Sequence, residues 1–94
     1  MRVEDFALPH RPGCGVDEFL ACLPRILAGD SLRTVIDRIA AASLGGRSVV
    51  AAMGAHVIKC GLSPIIIDLI RQDVVTAVAS NGAGALHDSE IALF

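Results

Sequence analysis

The 94-residue chain contains no tryptophan and no tyrosine, and only three phenylalanines. Large amphipathic aromatic side chains therefore add almost nothing to its surface. Its hydrophobic content of 53% and its mean hydropathy of +0.62 are nevertheless high for so short a chain. A domain of this length buries only a modest share of its surface. We therefore expect either a homo-oligomer or a fragment of a longer protein, and the uncapped helix-like ending "EIALF" favours the fragment.

Cysteine is also scarce, with three residues and no CxxC pair: Cys14, Cys22 and Cys60. An odd number without paired spacing argues against a disulfide framework and against a zinc knuckle. His10 and Cys14 could supply only half of a metal site, so we predict no bound metal.

Long apolar runs and a basic stripe are both missing. The longest apolar runs, "PIII" and "VVTAVA", are far too short to span a bilayer, and acids interrupt the N-terminal "MRVEDFALP" where a signal peptide would be apolar. The net charge is −2, and the arginines are scattered without interleaved aromatics. These patterns predict a cytoplasmic protein with neither a membrane nor a nucleic-acid partner.

The first half of the chain, residues 1–46, has the pattern of a loop followed by helices. "HRPGCG" at residues 10–15 is typical of a loop. Apolar spacing predicts one helix over residues 16–28, kinked at Pro24 and ended by Gly29. A second helix is predicted from a cap at Asp30 or Ser31 to a stop at Gly45-Gly46.

The second half, residues 47–94, has a βαβα pattern. An apolar run at residues 48–53 and another at 74–79 predict strands, and a helix beginning at Ser63 separates them. A right-handed crossover makes the two strands parallel, which predicts an α/β, Rossmann-like sheet preceded by helices. The segments that follow the strands, 54–61 and 80–85, should then lie side by side at the edge where such sheets bind ligands.

The second of these segments, "SNGAGA", combines small residues with a helix start. Gly82 and Gly84 permit a tight turn, and free N–H groups of Ala83, Gly84 and Ala85 could hold a phosphate. "GAG" lacks the complete dinucleotide fingerprint, so the spacing alone favours a structural turn.

The stretch "HVIKCGLSPIIIDLIRQDVVTAVASNGAGALHD", His56 to Asp88, resembles deoxyhypusine synthases. It matches their "NLISSG", a helix and "LVTTAGGVEED" without a gap, over about a third of the chain. Their NAD/FAD-binding domain is shared with sirtuins, which also carry a "GAG" turn. The resemblance implies NAD as cofactor and implies that the following residues contact it: Gly54, Ala55, Gly61, Ser80, Asn81, Gly82, Ala83 and Gly84.

The chain departs from the family at several positions. Ala55-His56 replaces Ser-Asn, and Leu86-His87 replaces two glutamates. The family's catalytic lysine belongs to a downstream "WGK"-type motif, whereas the single lysine here, Lys59, falls on a family serine. The βαβ pattern brings His56 and Asp88 to one edge of the sheet from two different segments, so they are the candidate acid/base pair, and His87 is a third candidate catalytic residue.

The leading interpretation is a bacterial deoxyhypusine-synthase-like, NAD-binding enzyme domain, a transferase or oxidoreductase acting on a small amine or amide. One alternative is a non-catalytic nucleotide-binding or assembly module whose glycine turn is structural. A sirtuin-like deacylase is another. Structural explanations also stay open for single residues, with His56 as a turn cap and Asn81 as a turn former.

Overall fold

The computed structural model describes residues 1–93. Within them it has a short 3-10 helix (Val3–Asp5), five α-helices and one two-stranded parallel sheet, so the chain is mixed α/β as predicted. The elements are α1 (Val16–Cys22), α2 (Leu27–Leu44), β1 (Val50–Met53), α3 (Ala55–Lys59), α4 (Ser63–Arg71), β2 (Ala77–Ser80) and α5 (Gly82–Leu93).

The chain divides into two compact units. The first comprises Met1–Arg38, and the second begins at Ile39, so the boundary falls within α2. The predicted boundary lay at residues 46 and 47.

The predicted first helix of residues 16–28 is wrong in its length. α1 ends at Cys22, and Leu23 adopts an extended conformation with ψ 148°. Leu23 precedes Pro24, whose ring disfavours the helical conformation in the residue before it. Pro24 therefore ends the helix two residues upstream, at Cys22, and does not kink a continuous helix.

The predicted start of the second helix is wrong as well. α2 begins at Leu27, so Gly29, Asp30 and Ser31 lie inside its first turns. A Cβ at Gly29 would stand 2.5 Å from the carbonyl oxygen of Pro24. Gly29 is thus needed for the close approach of two backbone segments and does not stop a helix.

Arg33 joins α2 to the end of α1. Its guanidinium donates hydrogen bonds to the carbonyl oxygens of Leu20, at 2.9 Å, and Pro24, at 3.1 Å, and also to that of Leu23. The last carbonyls of a helix have no partner within the helix. One side chain therefore bonds the Leu20 carbonyl in the last turn of α1 and the carbonyls of the two residues that follow the helix.

The second unit contains the sheet. β1 and β2 pair in parallel, with Val50 opposite Ala77 and Met53 opposite Ser80, which confirms the predicted strand direction. Both strands are shorter than predicted. The hydroxyl of Thr76 accepts from the N–H of Val49, at 2.9 Å, and donates to its carbonyl, at 3.1 Å, fixing the register where the strands begin.

Three helices end in the same way, with one left-handed residue after the helix. These residues are Gly46 after α2, Gly61 after α3 and Asp73 after α4, with φ of 67°, 76° and 57°. In each case the next N–H bonds back to a carbonyl five residues earlier: Arg47 to Ala42, Leu62 to Val57 and Val74 to Leu69. This is the Schellman arrangement, and it confirms the predicted stop at Gly45-Gly46.

The hydrophobic core is small. Ile58 and Val75 are the only buried hydrophobic side chains among the described residues, at 8% and 7% exposure. α3 packs against α5 beside the sheet. Among residues 1–93, the helices lack the combined length and apolar character of a membrane span.

Candidate functional site

A cavity of about 340 Å³ opens in the second unit beside the carboxyl ends of β1 and β2. Its walls come from both strands and from α3, α4 and α5. The lining residues are Met53, Ile58, Ser63, Ile66, Ile67, Ile70, Val78, Ser80, Gly84, Ala85 and Asp88. The volume is at the lower end of the range for small-molecule sites.

The wall of the cavity is mostly apolar. α4 contributes Ile66, Ile67 and Ile70, which lie on one side of the helix because Ile66 and Ile67 are four and three residues before Ile70. Ile67 and Ile70 remain 46% and 43% exposed. This wall is therefore accessible to a flat apolar group from solution.

Three polar side chains line the same cavity: Ser63, Ser80 and Asp88. Within residues 1–93 the Ser63 hydroxyl and the Asp88 carboxylate make no hydrogen bond, and Asp88 forms no ion pair. The Ser80 hydroxyl makes one long contact, 3.5 Å to the carbonyl of Asn81. The carboxylate and the Ser63 hydroxyl are thus free to bond a ligand.

The first turn of α5 is capped by its own chain. The side-chain oxygen of Asn81 accepts from the N–H of Gly84, at 3.1 Å. The Asn81 carbonyl accepts from Gly84 and Ala85, at 3.1 and 3.3 Å. The expectation that the N–H groups of Gly84 and Ala85 are free is therefore wrong.

Two other N–H groups at this helix start stay available. Gly82 and Ala83 are exposed, and neither N–H meets an acceptor within the described part of the chain. A Cβ at Gly82 would meet no atom within 4 Å. The helix start can therefore be approached closely from solution at these two residues.

Gly84 has a different reason to be glycine. It is buried, and a Cβ there would overlap the hydroxyl oxygen of Ser80. Neither Gly82 nor Gly84 has a positive φ, so no left-handed turn explains them. Gly84 lets the start of α5 pack directly on the end of β2.

The first segment predicted as a ligand loop is mostly helical. Gly54 is the N-cap of α3, Ala55 is its first residue and Gly61 is the left-handed residue after its end. None of the three lines the cavity. The predicted proximity of the two segments is confirmed, since Met53 pairs with Ser80 and α3 contacts α5.

Of the predicted acid/base pair, only one residue lines the cavity. His56 is exposed on α3 and does not line the cavity, whereas Asp88 does. No hydrogen bond or ion pair joins them in residues 1–93. Nδ1 of His87 lies 3.4 Å from a carboxylate oxygen of Glu90, one turn along α5. Of the predicted site residues, the cavity brings together Ser80, Gly84 and Asp88 and leaves out the others.

The sequence reasoning missed the apolar part of the site. The sequence pattern predicts Ile66 and Ile70 only as part of a helix, and Met53 and Val78 only as parts of strands. The signal was present in the order of elements, because a crossover helix packs on the sheet and its inward face borders the carboxyl edge.

A second cavity lies in the first unit and holds two thiols. Cys14, Glu18 and Cys22 line it together with Arg11. The hydrogen bond to Glu18 raises the pKa of the Cys14 thiol, and burial and the nearby Cys22 raise it further. The structure groups no three His, Cys, Asp or Glu side chains in residues 1–93 in a way that could hold a metal ion.

Comparisons with protein families, with curated proteins and with solved structures find no match to this chain.

Proposed function

We propose that the second unit binds an adenine nucleotide, in particular NAD, at the carboxyl edge of its parallel sheet. One observation carries the proposal: a single cavity has an apolar wall, an unpaired carboxylate, and beside it a helix start with two free N–H groups. A nucleotide combines a flat base, hydroxyl groups and an anion in that order.

Each part of the site then has a role. The base lies against Ile66 and Ile70, and the carboxylate of Asp88 accepts hydrogen bonds from ribose hydroxyls. The N–H groups of Gly82 and Ala83 donate to a phosphate, where the helix dipole of α5 also favours negative charge. The cavity holds one nucleoside of NAD, and the other half extends into solvent or toward a partner.

The topology supports the same location. β1, the crossover helices and β2 form a parallel unit, and open α/β sheets bind ligands beyond the carboxyl ends of their strands. The proposal includes a Rossmann-like fold of the deoxyhypusine-synthase type and a cytoplasmic location. It also includes transferase or oxidoreductase activity on a small amine or amide. An acid/base role for His56 and Asp88 stays a prediction.

A second candidate is a non-catalytic assembly module. The contact between Gly84 and Ser80 and the left-handed φ of Gly61 favour it, because both give structural reasons for glycines that the resemblance assigns to NAD.

Calorimetric titration of the full chain with NAD, ADP-ribose, AMP and spermidine separates the two candidates. The nucleotide proposal requires that NAD and ADP-ribose bind. The assembly module predicts that none of the nucleotides does.

Two pairs of variants locate the site. Asp88→Asn should weaken NAD binding roughly tenfold, about the effect of one hydrogen bond to a charged group, and Glu90→Gln on the same helix should not. Gly82→Pro removes one free N–H at a helix position that tolerates proline, and Gly82→Ala keeps it. If the Gly82→Pro and Gly82→Ala variants bind NAD with equal affinity, the N–H of residue 82 does not bind the phosphate.

A further inference from the structure

The cavity of the second unit carries a single charged side chain, and its charge is negative. Asp88 is the one ionisable residue in the lining. The lysine and arginines among the described residues of this unit are Arg47, Lys59 and Arg71, and none of them lines the cavity. A ligand group that enters the cavity therefore meets a carboxylate and no cation.

The two histidines of this unit do not supply the missing positive charge. His87 pairs with Glu90, with Nδ1 3.4 Å from the carboxylate oxygen, and lies outside the lining. His56 is exposed on α3 and also lies outside it. Protonation of either imidazole would therefore leave the Asp88 carboxylate without a cationic partner inside the cavity.

The donors that suit an anion lie at a different point of α5. The N–H groups of Gly82 and Ala83 are free at the start of the helix. Asp88 follows Gly82 by six residues, which is about 9 Å along a helix that rises 1.5 Å per residue. The site thus has one end that attracts negative charge and another end that repels it.

We propose that Asp88 determines which nucleotides the site accepts, an inference that rests on the proposed function. A ribose whose 2′- and 3′-hydroxyls are free donates hydrogen bonds to the carboxylate. A phosphate ester on either hydroxyl would remove a donor and place further negative charge beside Asp88, with no cation in the lining to balance it. The site therefore binds NAD and 5′-phosphorylated nucleosides, and it rejects NADP, which carries a 2′-phosphate.

The isomers of AMP test this specificity without any variant. 5′-AMP, 2′-AMP and 3′-AMP share one base and one sugar and differ only in the position of the phosphate. In calorimetric titrations of the full chain, 2′-AMP and 3′-AMP should bind roughly tenfold more weakly than 5′-AMP, or weaker still, and NADP should differ from NAD by the same factor.

A charge-neutral variant assigns the effect to one residue. In Asp88→Asn the affinities for NAD and NADP should become nearly equal, because the amide does not repel a phosphate. Glu90→Gln removes the same charge from the same helix outside the lining, so it should keep the preference for NAD.

The outcomes separate this inference from the proposed function. If neither NAD nor 5′-AMP binds, the proposed function fails and the inference fails with it. If NAD binds and NADP or 2′-AMP binds as tightly as its counterpart, only the specificity is wrong. A preference for NAD that survives in Asp88→Asn, or that Glu90→Gln abolishes equally, shows that Asp88 does not determine it.

Discussion

The side-chain oxygen of Asn81 accepts a hydrogen bond from the backbone N–H of Gly84, 3.1 Å away, at the start of α5. Asn81 is thereby the N-cap of this helix, because the acceptor lies three residues before the donor. The bond occupies an N–H that the glycine turn and helix start predict as a phosphate donor. Anion binding at this helix then rests on Gly82 and Ala83.

Asn81→Ala should destabilise the protein by about 1 kcal/mol, since it removes the cap and leaves the Gly84 N–H without its side-chain acceptor. Asn81→Asp keeps an acceptor at the same place and should lose much less. Urea denaturation of both variants measures the difference. Equal losses would show that the cap contributes nothing to stability.

Gly84→Ala should destabilise the protein because the new Cβ overlaps the Ser80 hydroxyl. Ser80→Ala removes the hydroxyl and with it the overlap. In that background Gly84→Ala should be neutral, or should stabilise the protein by up to about 1 kcal/mol, the advantage of alanine over glycine in a helix. A double-mutant cycle measures this coupling. Additive effects of the two substitutions would contradict the close contact.

The parallel sheet and α4 could be predicted from the sequence because each has a strong local signal. "SVVAAM" and "VVTAVA" are continuous apolar runs, and Pro64 marks the first turn of α4. α3 was missed because five residues are too few to show a helical period. Gly29 misled the prediction because its role is a contact with Pro24, which no local pattern reveals.

Ser80, Gly84 and Asp88 line the candidate site and were predicted as site residues, from the family resemblance and from the glycine turn between strand and helix. Ser63 also lines it but was predicted only as a helix cap. The apolar wall from α4 depends on how that helix packs on the sheet, and the capping by Asn81 depends on a side-chain rotamer. Neither can be derived from residue spacing.

Arg33→Met should destabilise the first unit by about 2 kcal/mol, because the carbonyls of Leu20 and Pro24 lose hydrogen bonds to a charged group. Arg38→Met, an exposed arginine on the same helix, is the matched control and should change little. Hydrogen exchange of the α1 amides measures the effect locally. Unchanged protection in Arg33→Met would contradict the role of this side chain.

Cys14 should react more slowly with iodoacetamide than the exposed Cys60 near pH 8. The carboxylate of Glu18 raises the pKa of the Cys14 thiol, so less of it is thiolate, the reactive form, at that pH. Glu18→Gln removes the negative charge and should accelerate labelling of Cys14 but not of Cys60. Mass spectrometry of the labelled peptides measures both rates. If Glu18→Gln leaves the rate at Cys14 unchanged, the carboxylate does not control this thiol.

Amide NMR of the full chain titrated with NAD tests the central claim most directly. Saturable shifts are predicted at Gly82 and Ala83, at Asp88 and along the cavity face of α4, with residues 1–38 unaffected. In the Asp88→Asn variant the same signals should shift, but at a higher NAD concentration than in the unsubstituted chain. Titration without shifts in the second unit, or with shifts confined to residues 1–38, would contradict nucleotide binding at this sheet edge.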